Sequence, residues 1–371
     1  MRIVFVSAQV IHGGAERRLT SLLAELDRSS IERVVFLADG PFVAQIRDQG
    51  HPVEVIETSA RSTGILRSAL RLRRLLRRTR PDLVHADGVK GAVVATLATL
   101  PGGPPVLWVK NDFSWDGPIV RLVAARCRTI VVVSKAVAEG LGRRARSRTR
   151  VVHTGLRQLS GDRAEGRRRL EHALGPVERA RVVGLVGRLD PIKGHRELLT
   201  VAAALRERVP DVRIVFIGAD DPNHPDEERD LRAEAAARGI DDIVAFLGFQ
   251  EPSSLPDLVA ACDVVAVPTI ALHGRGKEGF GNAGLEAMAL GTPVVGYAQG
   301  GVPELVGECG LLVPPGDRDA LLAALVRVLT EEGLHDRLAI CGQARVAEQF
   351  TLARMVEGME TSYRDTVFGA T

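Results

Sequence analysis

Two glutamates, Glu278 and Glu286, stand eight positions apart in the run Glu278-Gly279-Phe280-Gly281-Asn282-Ala283-Gly284-Leu285-Glu286. Gly279, Gly281 and Gly284 let the backbone pass close to a ligand, and the N–H groups that open a helix have no acceptor within it, which suits an anion. Carboxylates accept pairs of hydrogen bonds from vicinal hydroxyls. One acid before the turn and one in the first helical turn therefore make a pocket for a polyhydroxylated, phosphorylated ligand, the chemistry of a sugar nucleotide. Two solvated acids on a loop and a helix are the plainer alternative. Gly291 as a C-terminal cap and the Thr292-Pro293 stop bound a short helix behind the glycines and weigh against that alternative.

Arg188 and Lys193 lie in Gly187-Arg188-Leu189-Asp190-Pro191-Ile192-Lys193-Gly194, directly after an apolar run, where side chains emerge at the carboxyl edge of a sheet. A guanidinium binds phosphate in bidentate fashion and an ammonium acts as a mobile point charge. Together they could hold a diphosphate and neutralise the charge on a departing phosphate. Solvated surface cations are the ordinary alternative. Gly13-Gly14 fills the turn between the first strand and the helix 15–26. It lacks the G-x-G-x-x-G spacing, which argues against an NAD-dependent enzyme. A glycosidase would set two carboxylates across the scissile bond. The shared loop-helix setting beside a phosphate site argues against that use. Asp220-Asp221 and Asp241-Asp242 invite a divalent cation, but loop carboxylates and helix caps are commoner, and with two cations at hand no metal is needed.

The elements that must position these residues follow a plain rhythm. β-Branched runs at 3–6, 34–37, 53–56, 83–86, 106–109, 130–133 and 151–152 alternate with helical patterns. The rhythm restarts at 182–186, 214–217, 243–246, 264–267, 294–296 and 311–313. Such alternation predicts an α/β fold of two doubly wound, Rossmann-like domains with parallel sheets covered on both faces. The junction is placed at Gly175-Pro176, giving domains 1–175 and 176–349. Ligands of open α/β sheets bind at the carboxyl ends of the strands, so two facing domains would wall a central cleft. The stretch 350–371 reads as a final helix through 367, with Met355, Val356, Met359 and Tyr363 on one face.

Composition sets outer limits. At 371 residues and 45% hydrophobic content, the chain exceeds one typical core and suits two. Cys127, Cys262, Cys309 and Cys341 are scattered, so neither a disulfide framework nor a zinc site is expected, and a reducing cytoplasm is the expected setting. No signal pattern precedes the first strand, and no apolar run nears the roughly 20 residues of a membrane span. Residues 1–170 hold 30 Lys+Arg against 15 Asp+Glu, and the remainder 19 against 31. Arg67, Arg71, Arg73, Arg74, Arg77, Arg78 and Arg80 decorate one helix around a stripe of Ile65, Ala69, Leu72 and Leu76. That basic face suits an anionic membrane surface or a phosphorylated acceptor, and a solvated face is the plainer reading. With 4% aromatics and no stacking platform, nucleic acid is not an expected partner.

The segments 187–194 and 278–286, with Gly13-Gly14-Ala15-Glu16-Arg17 and Gly300-Gly301-Val302-Pro303-Glu304, together resemble the retaining glycosyltransferases of family 4, which have the GT-B fold. The resemblance runs nearly the whole chain. It implies transfer of a hexosyl group from a nucleotide-sugar donor to a hydroxyl of a glycan, a lipid carrier or a small natural product, with no metal and no cofactor; among donors a UDP-sugar is favoured over a GDP-sugar. It assigns Glu286 to the ribose hydroxyls, Glu278 to the transferred sugar, and Arg188 and Lys193 to the diphosphate. Gly279 and the backbone N–H groups of Phe280, Gly281, Asn282 and Ala283 would meet the donor's hydroxyls and phosphates, and Gly13 and Gly14 the diphosphate or acceptor. The last helix would cross back to the N-terminal domain.

One departure stands out. Relatives carry a histidine after a strand comparable to 106–109, whereas this chain has Lys110-Asn111-Asp112-Phe113-Ser114-Trp115-Asp116-Gly117. Asn111 or Asp112 takes that region, with Asp112 either assisting deprotonation of the acceptor or serving as a turn residue. The insertion 269–277, with His273, Arg275 and Lys277, has no assigned role. Two other readings stay open: a sugar-nucleotide epimerase of the same architecture, for which no acid/base pair is identifiable, and a non-catalytic nucleotide-sugar-binding protein.

Overall fold

A computed structural model describes residues 1–371 except 11, 12, 60, 115, 116, 178, 273–275, 370 and 371. It divides into two compact units, Met1–Gly155 with Leu352–Thr371, and Leu156–Thr351.

The first unit is built on seven strands, β1 (Ile3–Ser7), β2 (Ile31–Phe36), β3 (Val53–Val55), β4 (Leu83–Asp87), β5 (Val106–Lys110), β6 (Thr129–Val132) and β7 (Thr149–Val151). They pair in parallel in the order β3-β2-β1-β4-β5-β6-β7. β1, β4, β5 and β6 are buried at every position, as strands covered on both faces must be, and their near-continuous Val, Ile and Leu content follows from that. Helices α1 (Gly14–Glu25), α2 (Pro41–Asp48), α3 (Ser62–Thr79), α4 (Gly88–Ala98), α5 (Pro118–Arg126) and α6 (Lys135–Glu139) make the crossovers. On α3, Ala69, Leu72, Leu75 and Leu76 are buried, while the arginines at 67, 71, 74, 77 and 78 are exposed.

The second unit repeats the plan with α7 (Arg163–Leu174), β8 (Arg181–Val186), α8 (His195–Arg208), β9 (Val212–Ile217), α9 (Glu227–Ala237), β10 (Val244–Phe246), α10 (Leu255–Ala261), β11 (Val264–Val267), α11 (Asn282–Ala289), β12 (Val294–Tyr297), α12 (Val302–Val306), β13 (Leu311–Val313), α13 (Arg318–Thr330) and α14 (Leu334–Gln349). Its sheet is parallel in the order β10-β9-β8-β11-β12-β13. The last helix, α15 (Leu352–Phe368), belongs to the first unit. Met355, Met359 and Tyr363 recur every four residues on its buried face. The Tyr363 hydroxyl lies 2.7 Å from His85 Nδ1, and Thr366 donates to the Thr129 hydroxyl at 2.7 Å.

The division falls at Gly155, ahead of the junction expected at Gly175-Pro176. The reason is α7, which the second unit holds. Arg163 and Arg167 each reach one oxygen of Asp263 at 2.7 Å, and the same carboxylate accepts the Val182 N–H at 2.7 Å. Gly166 lets α7 sit against α10 so closely that a Cβ there would lie 2.0 Å from the Asp257 carbonyl oxygen.

The reading of the cysteines as unpaired is corrected. Cys309, after α12, and Cys341, on α14, form a disulfide, and Cys127 and Cys262 are free and buried. A separation of 32 residues carries no local signature; the fold brings the pair together. Closing a loop of that length restricts the unfolded chain, so reduction, or Cys309→Ser with Cys341→Ser, should lower unfolding free energy by about 2–4 kcal/mol. Urea melts with and without dithiothreitol test this, and identical midpoints would refute it.

Candidate functional site

In the second unit, the ends of β8, β9 and β11 converge on one group of charges. After β8 the chain runs beside the segment following β9: Leu189 N–H donates to Ala219 O at 2.8 Å and Asp221 N–H to Leu189 O at 3.1 Å. This pairing sets the Arg188 guanidinium 2.8 Å from Asp221 Oδ2. Asp221 is 2% exposed, and its other oxygen accepts from the Asn223 N–H and amide at 2.9 and 2.8 Å. Burial pushes Asp221 up, but the Asn223 bonds and the Arg188 charge hold it below the ordinary carboxylate value. Asp220 accepts from the Glu228 N–H at 2.8 Å and Asp242 pairs with Arg206 at 3.0 Å, so these acids serve ion pairs and caps.

Lys193 closes a short turn in which the Asp190 side chain accepts from Ile192 N–H at 3.0 Å. Gly194 follows at φ +83, and a Cβ there would lie 2.0 Å from the Pro268 carbonyl oxygen, so only glycine lets the turn pass the end of β11. The Lys193 ammonium reaches Glu278 Oε2 at 2.8 Å, and the Thr269 hydroxyl donates to the same oxygen at 3.3 Å. Burial pushes Glu278 up. The Lys193 charge and hydrogen bond, the Thr269 hydroxyl and the Arg188 charge outweigh it and hold the carboxyl below its usual range.

Behind Glu278, Gly281 takes φ +101 and caps α11 without a side chain. The first N–H groups of the helix have no acceptor within it. Asn282 opens α11 with its side-chain oxygen buried and without a hydrogen-bond partner among the described residues. Glu286, 7% exposed, is the fifth residue of α11 and so sits in its second turn, one turn later than expected. The Phe280 side chain is buried, 3% exposed. It packs edge-on against Phe350 at 5.2 Å between centroids and anchors the loop.

The segment Gly300-Gly301 supports the loop from beneath. Gly301 N–H donates to Glu278 O at 2.8 Å, and a Cβ on Gly301 would lie 2.2 Å from Gly279 O. On Gly300 it would lie 2.1 Å from Glu278 O. Sequence reasoning missed the pairing of Asp221 with Arg188, the Thr269 bond to Glu278 and the support given by Gly300-Gly301.

The first unit places its candidates at the carboxyl edge of its own sheet. Gly13 caps α1 with extended backbone at φ −162, and Gly14 is the first helical residue. Lys110, buried, donates to the carbonyls of Asp112 and Ser114 at 2.6 and 3.0 Å. Asp112 Oδ1 accepts from the Ser114 N–H and hydroxyl at 3.0 and 2.6 Å, so its carboxylate, 58% exposed, caps a turn. Asn111 instead donates to Asp87 Oδ1 at 2.8 Å. Trp115, Asp116, His273 and Arg275 lie outside the described residues. Among the described residues no cluster of three acids, histidines or cysteines could hold a metal ion, and no helix is long and apolar enough to cross a membrane.

Comparison with known proteins gives the family. Residues 12–157 match the family described as Glycosyltransferase Family 4, and residues 180–331 the one described as Glycosyl transferases group 1. The chain is 33% identical over 311 residues to a D-inositol 3-phosphate glycosyltransferase of Saccharomonospora viridis, covering 77% of this chain and 70% of that protein. The chain belongs to glycosyltransferase family 4. Another family 4 relative, the D-inositol 3-phosphate glycosyltransferase of Salinispora arenicola, is 37% identical over 214 residues, 56% of this chain and 46% of its own length. The chain thus spans about half the length of several curated relatives that it matches. The Anabaena protein Alr3699/HepE, solved in complex with UDP and glucose, superposes with a TM-score of 0.83 at 26% identity, covering 97% of this chain and 98% of that one. Sucrose-phosphate synthase of Thermosynechococcus elongatus shares the GT-B fold at a TM-score of 0.78, 20% identity and full coverage of both chains.

Gly301 has helical backbone that any residue can adopt, so its requirement for glycine is one of space alone. Gly301→Ala should cost about 1–3 kcal/mol of stability by overpacking. A cost below about 0.5 kcal/mol in urea unfolding would mean that the loop gives way freely.

Proposed function

We propose that this chain is a retaining hexosyltransferase that binds a UDP-sugar in its second unit and passes the sugar to an acceptor hydroxyl without a metal ion. The observation that carries the reading is the convergence of Arg188, Lys193 and Glu278 on the uncapped start of α11, where Asn282 offers an unpartnered oxygen. Cations and helix N–H groups suit a diphosphate, and carboxylates and an amide oxygen suit sugar hydroxyls. The UDP and glucose bound by Alr3699/HepE support the choice of donor, and the names of the inositol phosphate relatives support a cyclitol or sugar hydroxyl as acceptor.

In this mechanism Lys193 exchanges Glu278 for the diphosphate, and Glu278, released, accepts hydrogen bonds from the sugar. As the bond from the anomeric carbon to the phosphate oxygen breaks, negative charge gathers on the phosphate, where Arg188 and Lys193 stabilise it more than in the ground state. The acceptor oxygen attacks from the face the phosphate leaves, and its proton passes to the departing phosphate oxygen. Glu286 holds the ribose in ground and transition states alike.

Glu286→Ala should therefore weaken UDP binding by about 1.5–3 kcal/mol, roughly 10- to 150-fold, with little loss of turnover at saturating donor. Arg188→Ala and Lys193→Ala should depress turnover more than affinity, and the double variant should be less than additive. Calorimetry with UDP and GDP, and a panel of nucleotide sugars assayed by mass for transfer and hydrolysis, separate these effects. Wild-type turnover in either cation variant would rule out the leaving-group assignment. Activity should also survive EDTA; loss rescued by Mg²⁺ or Mn²⁺ would overturn leaving-group stabilisation by side chains alone.

A further inference from the structure

The Cys309–Cys341 disulfide joins the two elements against which both acids of the second unit rest. Cys309 ends the turn after α12, its N–H donating to Val306 O at 3.0 Å. At the other end of that helix, the capping Gly301 donates its N–H to Glu278 O at 2.8 Å. Cys341 lies in the middle of α14, and the residues beside it carry α11. A Cβ on Gly342 would lie 3.3 Å from Met288 Cβ, and one on Gly291 would lie 2.9 Å from Gln343 Nε2. Since α11 holds Glu286, one covalent bond ties the element behind Glu278 to the element behind Glu286.

The four cysteines are not equivalent. Cys127 and Cys262 are 0% exposed, and burial pushes both thiols up to about 12, so neither offers a thiolate for exchange. Cys309 is 6% exposed, but Cys341 is only half-buried, so an external thiolate reaches the pair from the Cys341 side. Arg345 stands one helical turn beyond Cys341, and its guanidinium packs against Gly307, two residues before Cys309. A cation near the sulfurs favours thiolate, the form that leaves in reduction and attacks in closure.

We propose that Cys309 and Cys341 form a reversible redox switch of the Glu278–Glu286 site: the disulfide holds the site in its ligand-ready geometry, and reduction by a dithiol loosens it. Reading the ligand as a nucleotide sugar rests on the proposed function; the mechanical coupling does not. In the step itself, one thiolate of the reductant attacks Cys341 Sγ and breaks the S–S bond, and Cys309 leaves as a thiolate and takes a proton. The reductant's second thiolate then attacks the mixed disulfide and releases Cys341, which is protonated in turn. Two electrons and two protons pass to the protein, and the dithiol becomes a disulfide; a small-molecule disulfide runs the exchange backwards.

Reduction does not dismantle the unit. With the bond open, α12 and α14 keep the hydrogen bonds from Arg345 to the Glu304 and Leu305 carbonyls at 2.9 and 2.7 Å. The loss of order therefore falls on 278–281 and 300–306 rather than on the sheet.

The test compares the full chain oxidised, reduced with dithiothreitol and reoxidised with glutathione disulfide, the thiol state being read by alkylation and mass. Calorimetry should show UDP binding weakened about threefold or more by reduction and restored by reoxidation. Backbone amide hydrogen exchange should rise about tenfold across 278–281 and 300–306 and stay unchanged in β8 and β9. Cys309→Ser with Cys341→Ser should match the reduced chain and ignore dithiothreitol; if that variant does not fold, the wild-type cycle decides. Unchanged affinity and exchange in the fully reduced chain, exchange that rises evenly through the unit, or a disulfide that opens only on unfolding overturns the switch. Exchange that responds as stated in a chain that binds no UDP refutes the nucleotide-sugar reading and leaves the coupling standing.

Discussion

The backbone of Gly300-Gly301 against the backbone of 278–280 is the contact on which the geometry around Glu278 depends. No side chain fits between them, and the Gly301 N–H fastens Glu278 directly. The loop is held from its other side as well. Arg345 on α14 donates to the Glu304 and Leu305 carbonyls of α12 at 2.9 and 2.7 Å, and its guanidinium lies 5.5 Å from the Phe350 ring centre. Phe350 in turn carries Phe280. Contacts thus run in a closed circuit from the loop through α12 and α14 back to the loop, and the Cys309–Cys341 disulfide adds a second tie between the α12 side and α14. A carboxylate placed by such a circuit keeps its position when its ligand changes.

Much of this was legible in the sequence, for a physical reason. Parallel strands buried on both faces read as uninterrupted apolar runs, so the two wound sheets announce themselves in Ile3–Ser7 or Val264–Val267 without help from long-range contacts. Glycine motifs were legible as motifs, but their work was not. Gly300-Gly301 carries a family resemblance in the sequence, and only the fold shows that it supports the 278–280 loop. Asp221 was missed because its partner Arg188 follows a different strand, and only the pairing of β8 with β9 brings them together. The unit boundary was missed because α7 has only a narrow buried stripe, Gly166, Leu170 and Leu174, and its attachment is completed by two arginines on one buried aspartate that lies a hundred residues away in sequence.

The first unit teaches the same lesson about side-chain direction. Asp112 and Asn111 are adjacent in sequence and indistinguishable as candidates there. In the fold the ammonium of Lys110 pins the following turn, Asp112 bends back onto Ser114, and Asn111 faces Asp87 on the neighbouring strand. Asp87 ends an apolar strand and precedes a glycine, which by sequence alone is how any helix-capping aspartate looks, yet its side chain caps nothing.

The two ion pairs at the carboxyl edge of the second unit's sheet also bear on how an anionic ligand would arrive. With Asp221 and Glu278 each 2.8 Å from its cation, Arg188 and Lys193 present themselves to the solvent as compact dipoles rather than as free charges. A dipole's field fades faster than a charge's and is screened beyond about 8 Å at physiological salt. The surrounding half of the chain, moreover, carries an acidic excess. An anionic ligand is therefore not steered to this site from afar; it meets the cations only on contact, and added salt, which screens the acidic excess, does not slow its capture.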